Sequence, residues 1–146
     1  MKAYHALGTQ LARVEHYREA IPVFQKVLEI DPEHNNAYYN LGTCFERLGD
    51  NDKALQNFNS EKKLDPTDVD VDYRIGRLLV RMGQYQKALD ALNEHITSQK
   101  PKDGRAYIYR AMAHKALGHT ALAQADMHRA LDLDPEDKTL FDQVGL

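Results

Sequence analysis

The segment from Tyr38 to Pro66 reads YYNLGTCFERLGDNDKALQNFNSEKKLDP. Tyr38, Leu41, Gly42 and Phe45 recur at the i, i+3, i+4, i+7 spacing of an amphipathic helix. Gly49 then interrupts the pattern, and Ala54 and Phe58 begin a second helical face. Asp65-Pro66 closes the segment. A glycine at the break can adopt the left-handed conformation that ends a helix. Proline suits the first turn of whatever follows, where its missing N–H costs nothing. The segment therefore reads as two helices of about 14 residues joined by a tight turn.

The same marks recur along the whole 146-residue chain. Pro32, Pro66, Pro101 and Pro135 are spaced by 34, 35 and 34 residues, and Asp31, Asp65 and Asp134 precede three of them. Gly8, Gly42 and Gly76 are 34 apart, as are Ala20, Ala54 and Ala88, with Ala123 following after a one-residue slip. Phe24, Phe58, Leu92 and Met127 form a fourth series. Ala20, Val23, Phe24, Val27, Leu28 and Ile30 show the helical spacing again. Gly49, Gly83 and Gly118 mark the turns inside three units, and Glu15 stands at that place in the first. The extra residue between Pro66 and Pro101 is expected in the loop at residues 98–103, because loops absorb insertions more readily than packed helices.

Residue size sets the expected packing. Gly8, Gly42 and Gly76 let the partner helix come close, with Ala20, Ala54 and Ala88 as the facing small surface. Tyr4, Tyr38, Leu7, Leu41, Phe24 and Phe58 are expected to fill the space on either side. One hairpin cannot bury its apolar face alone, so neighbours must stack into a continuous core.

With these motifs the chain resembles the tetratricopeptide repeat family, whose 34-residue helix-turn-helix unit carries an aromatic, Leu-Gly, an Ala, a second aromatic and a closing Pro. The match is close from Tyr38 to Pro66, and nearly as close in the first repeat at Tyr4, Leu7, Gly8, Leu11, Ala20, Phe24 and Pro32. The third repeat departs at Asp72, where an aromatic is expected. The fourth departs at Arg110-Ala111, where Leu-Gly is expected. The expected fold is an all-α, right-handed α-solenoid of stacked antiparallel helical hairpins. It comprises a single domain with repeats at 1–34, 35–68, 69–103 and 104–137, and a partial repeat or short terminal helix at 138–146. Phe141, Val144 and Gly145 look like the start of a fifth repeat. The chain then reads either as a fragment of a longer repeat protein or as a short protein with a capping helix.

Composition is that of an ordinary globular protein, 42% hydrophobic and 28% charged. No apolar run reaches the roughly 18 residues of a membrane span, and the first residues lack a signal peptide's apolar centre. One cysteine, Cys44, excludes an internal disulfide framework and suits a cytoplasmic setting. Neither GxGxxG nor GxxxxGK[ST] is present, nor HExxH or paired CxxC. None of the seven histidines forms an i, i+4 pair. The expectation is a non-enzyme with no cofactor, no metal and no small-molecule substrate.

The resemblance implies that the first helix of each hairpin lines a concave groove. The groove positions are Lys2, His5, Thr9 and Arg13, then Asn36, Tyr39, Asn40, Thr43, Glu46 and Arg47. The third helix pair contributes Asp70, Tyr73, Arg74, Arg77 and Arg81, and the fourth Arg105, Ile108, Tyr109, Met112 and Lys115. Eight of these are basic and two acidic, so the groove carries about +6 on a chain of net −3. Arginine offers forked donors to carboxylates and tyrosine a rigid contact surface. An extended acidic peptide of a partner protein is the expected ligand. Members of the family that clamp the C-terminal carboxylate of heat-shock chaperones use a Lys, Asn and Arg set. Here Asn40 and Arg74 match it, while His5, Thr9 and Asp70 do not, so that chaperone is not the expected partner. The alternatives are self-assembly through repeat ends and, less favoured by the net negative charge and the Leu-Gly and Asp-Pro marks, RNA binding.

Overall fold

A computed structural model of the chain describes residues 2–101, 104–135, 142, 144 and 145. Among them are eight helices: α1 Lys2–Arg13, α2 Tyr17–Ile30, α3 Asn35–Arg47, α4 Asn51–Leu64, α5 Val69–Arg81, α6 Tyr85–Gln99, α7 Arg105–Ala116 and α8 Thr120–Leu133. No strand occurs among the described residues. The chain divides into two compact units, residues 1–68 and 69–146. The first holds the hairpins α1–α2 and α3–α4, with α2 also packed on α3. The second holds α5–α6 and α7–α8, with α6 packed on α7.

Each hairpin turns in the same way. Asp50 N–H donates to the Phe45 carbonyl at 2.9 Å and Gly49 N–H to that of Glu46 at 3.1 Å, the paired bonds of a Schellman motif. The pattern repeats at Gly83–Gln84, Gly118–His119 and Glu15–His16. Gly49, Gly83 and Gly118 have φ of +83°, +76° and +82°. Glu15 is forced to +63°, where a Cβ crowds the following carbonyl. Between hairpins, Asp31 and Asp65 are extended, as the residue before proline must be. Each carboxylate accepts the N–H two residues on, from Glu33 at 3.2 Å and Thr67 at 3.1 Å. The extra residue of the third repeat falls at the expected segment 98–103: α6 runs on to Gln99, and the stretch before α7, 100–104, is five residues where 31–34 and 65–68 are four. α6 is 15 residues long where α2, α4 and α8 have 14, and Lys100 ends it in the left-handed region at φ +46°. Lys102 and Asp103 lie outside the described residues.

The glycine series faces rings rather than the alanines. A Cβ on Gly42 would lie 2.5 Å from Phe58 Cε1, and one on Gly8 would lie 2.7 Å from Phe24 Cε1. A Cβ on Gly76 would meet Leu92 Cγ at 2.5 Å. Ala20, Ala54 and Ala88 are nonetheless fully buried, as are Phe24, Phe58 and Leu92. Three expected core residues are not buried, Tyr38 being half-buried. Tyr4 is 43% and Leu7 48% exposed, whereas Leu41, one period on, is 3% exposed. Leu41 is packed with Phe24 and Leu28 of α2, a cover that Leu7 lacks among the described residues. The expected terminal helix falls mostly on residues outside those described. Within it, Val144 is buried against Ile108, Ala111, Ala123, Met127 and Ala130. Cys44 is buried, and burial pushes its thiol up to about 11, so it stays protonated and unreactive at neutral pH.

Two substitutions test this packing. Gly42→Ala drives a methyl into the Phe58 ring, and overpacking of this kind is expected to cost about 1–3 kcal/mol in urea denaturation. An unchanged midpoint would refute the close approach. Glu15→Gly removes the left-handed strain and should raise stability by about 0.5–1 kcal/mol, after the added freedom of glycine in the unfolded chain is subtracted. A loss of stability would show that the strain at this turn is negligible.

Candidate functional site

In the second unit, one turn of spacing puts Tyr73, Arg77 and Arg81 on the same face of α5. Arg105, Tyr109 and Met112 share a face of α7 by the same rule. These six, with Ile108 and Val144, line a cavity of about 370 Å³. Tyr73 makes ring contacts with three of the other lining residues and with His95. The Tyr109 ring meets it edge to face with centroids 6.1 Å apart, and the guanidiniums of Arg77 and Arg105 lie 5.7 and 5.8 Å from its centroid. The His95 ring lies 5.5 Å from Tyr73, held by a 2.8 Å contact between its Nδ1 and the Val69 carbonyl. Burial raises the Tyr73 phenol, Tyr109 adds to this, and the two arginines partly oppose it. The phenol therefore stays neutral, and its ring face presents electron density to the cations.

Two expected groove residues of this unit lie apart from that cavity. Arg74 is half-buried and does not line it. Lys115 lines a neighbouring cavity of about 380 Å³ with Val80, Arg81, Tyr85, Met112, Ala116 and Val144. Its ammonium donates to the Val144 carbonyl and, at 3.5 Å, to that of Gly145. Arg74, Arg77, Arg81 and Arg105 each take part in further interactions of their own, as do Glu46, Asp70 and Asp72.

The first unit places its expected residues differently. His5, Thr9 and Arg13 line an open depression of about 660 Å³ with Ala6, Gln10 and Val14. Asn40 of α3 reaches His5, Nδ2 to Nε2 at 3.4 Å, and the His34 ring packs 4.9 Å from the His5 ring. Burial lowers the His5 pKa, and His34 lowers it further. Thr9 and Thr43 spend their hydroxyls on carbonyls of their own helices, at 2.9 Å to His5 and 3.0 Å to Tyr39. Lys2, Asn36, Tyr39 and Arg47 are exposed and line no cavity described here.

Sequence reasoning missed Val144, Val80 and Tyr85 as lining residues. It also missed a polar cluster in the last hairpin. Arg110 clasps Asp126 with two bonds of 2.8 and 2.6 Å and donates to Asn93 at 3.1 Å. The Arg110-Ala111 departure from the Leu-Gly pattern was the available signal.

Among the described residues, no helix is long and apolar enough to cross a membrane. A family model described as Anaphase-promoting complex, cyclosome, subunit 3 matches residues 14–95, and a tetratricopeptide repeat model matches residues 73–138. Comparison with curated proteins gives no match. Among solved structures, MamA residues 41 to the end from Desulfovibrio magneticus RS-1 is similar at 26% identity. It covers 99% of this chain and 81% of its own, with a TM-score of 0.93. YrrB, described as a TPR protein with an unusual peptide-binding site, is similar in fold, at 22% identity and a TM-score of 0.88, over 99% of this chain and 74% of its own. The repeated hairpin, its glycine and Asp-Pro marks and these matches agree: the chain belongs to the tetratricopeptide repeat family.

Proposed function

We propose that this chain is a non-catalytic protein-interaction scaffold that holds an extended acidic segment of a partner protein, anchored in the second unit. One observation carries the reading. Three arginines, two tyrosines, Ile108 and Met112 converge on a single cavity of about 370 Å³, within the size range of ligand pockets. An apolar side chain can enter between Tyr73, Ile108, Tyr109 and Met112 while flanking carboxylates meet Arg77, Arg81 and Arg105. Guanidiniums bind carboxylates in a forked, bidentate manner. Arg77, Arg105 and Tyr109 are the principal contacts, with Arg74 outside the pocket. In the first unit, Asn40 and His5 offer polar groups to a peptide backbone.

A flexible peptide loses conformational freedom on binding, which offsets much of the contact energy. Exposed ion pairs contribute about 0.2–1 kcal/mol each. A dissociation constant on the order of micromolar follows, about −8 kcal/mol. The test is fluorescence anisotropy with a labelled Glu-rich peptide carrying one central leucine, against its Gln-for-Glu counterpart. The acidic peptide should bind at least tenfold more tightly, on the order of 1.4 kcal/mol, and weaken as salt rises. Arg77→Glu with Arg105→Glu should abolish that preference while the circular dichroism spectrum stays helical. Equal binding of the two peptides, or an unaffected double variant, would overturn the acidic-ligand reading.

Self-association is a second reading, favoured by the exposure of Tyr4 and Leu7 on α1. It predicts a mass that rises with concentration in light scattering and returns to the monomer value on Leu7→Glu. A constant monomer mass would exclude it.

A further inference from the structure

The fourth repeat breaks the family pattern at more than one place. Arg110 occupies the position of Leu7, Leu41 and Ile75 in the other repeats, and His114 that of Leu11, Phe45 and Leu79. Both polar residues are directed at Asp126, whose side chain is only 7% exposed. Arg110 grips both carboxylate oxygens. His114 Nε2 lies 3.9 Å from Asp126 Oδ2, and the His114 side chain is 13% exposed. A buried ion pair of this kind is seldom retained for stability, since well-packed apolar residues serve as well or better. It does fix the orientation of whatever stands beside it, and here that is the imidazole of His114.

The other face of that ring points across the α7–α8 turn. His114 Nδ1 and His119 Nδ1 are 3.3 Å apart. The two residues are five apart in sequence, His114 on α7 and His119 capping the start of α8, so no helical spacing reveals them. The turn itself holds them together, because His119 N–H donates to the His114 carbonyl at 2.8 Å around Gly118 at φ +82°. Two imidazole nitrogens facing each other need a proton between them or a cation. Zinc–imidazole bonds are about 2.05 Å long, and two such bonds to atoms this far apart meet at about 107°, close to the tetrahedral angle.

We propose that His114 and His119 form a two-nitrogen chelating site for a divalent transition-metal ion, with the Asp126 carboxylate behind His114. Asp126 Oδ2 stands 3.9 Å from His114 Nε2, and its charge favours the proton on that nitrogen, leaving Nδ1 as the lone-pair donor. The charged and titratable groups facing His114 are Asp126, Arg110 and His119. Together with burial they lower its pKa: burial contributes most, Arg110 and His119 act the same way, and Asp126 opposes them. His114 is therefore neutral at physiological pH, as a ligand must be. Binding requires the proton between the two Nδ1 atoms to leave His119 Nδ1 and be replaced at His119 Nε2 through solvent, so that both rings stay neutral. Among the described residues no third His, Cys, Asp or Glu joins the pair as a ligand, and His119 is exposed, so water fills the remaining positions. Imidazole donors select zinc, nickel or copper over calcium or magnesium.

The experiment titrates the untagged chain with zinc chloride by calorimetry and by NMR of the histidine ring resonances. At about pH 7.5 one equivalent should bind, shifting the rings of His114 and His119 and leaving those of His5 and His34 in place. At about pH 5.5 binding should weaken, because protons compete with the metal for imidazole nitrogens. His119→Gln, a change at an exposed residue, should weaken binding on the order of tenfold or more while the far-ultraviolet spectrum is unchanged. No heat and no shift at millimolar zinc would overturn the proposal. Movement of the His5 and His34 rings instead, or equal affinity in His119→Gln, would overturn it as well.

Discussion

The contact between a glycine in the first helix of a hairpin and a large side chain in the second governs the geometry of three of the four repeats. At Gly8 and Gly42 the Phe24 and Phe58 rings lie where a side chain would otherwise stand, and at Gly76 the Leu92 side chain does. This brings the two backbones close, and the ring then covers both. It also explains why Ala20, Ala54 and Ala88 are fully buried: helices drawn together at one point have room only for small residues at the next. The fourth hairpin uses Ala111 and Met127, both buried in one cluster. A methyl is tolerable there because an unbranched thioether can bend aside and a phenyl ring cannot.

A shared frame leaves the remaining positions free to differ, and the functional chemistry sits in those differences. The second unit places Tyr73 where Arg77 and Arg105 can both lie over its ring. In the first unit the equivalent region is a histidine pair and an asparagine. The two units thus offer unlike surfaces from the same backbone. Ion pairs alone would make a weak, salt-sensitive site. The aromatic and aliphatic floor of the second-unit cavity adds the apolar area from which most binding energy comes.

The last hairpin carries this furthest. Replacing apolar positions by Arg110 and His114 costs desolvation, which Asp126 and Asn93 answer with hydrogen bonds. The pair is satisfied internally and so does not compete for an acidic ligand. Its geometric consequence is an imidazole fixed at the rim of a rigid turn, beside a second one.

Periodicity is local, and what it reports was legible in the sequence. The glycine, alanine and proline series mark hairpins, turns and caps because each depends on residues a few places apart. The face of α5 bearing Tyr73, Arg77 and Arg81 follows from helical spacing in the same way. Contacts between helices do not. Leu7 and Leu41 hold the same place in their repeats, yet only Leu41 has α2 to cover it. Arg74 and Arg77 are both arginines on α5, but only Arg77 reaches the cavity. His114 and His119 meet only because Gly118 folds the chain back on itself. The sequence by itself determined the repeat, its helices and the residues on each helix face. Tertiary structure decided which of those faces is covered and which side chains meet, because that depends on what packs alongside each helix and not on its own spacing.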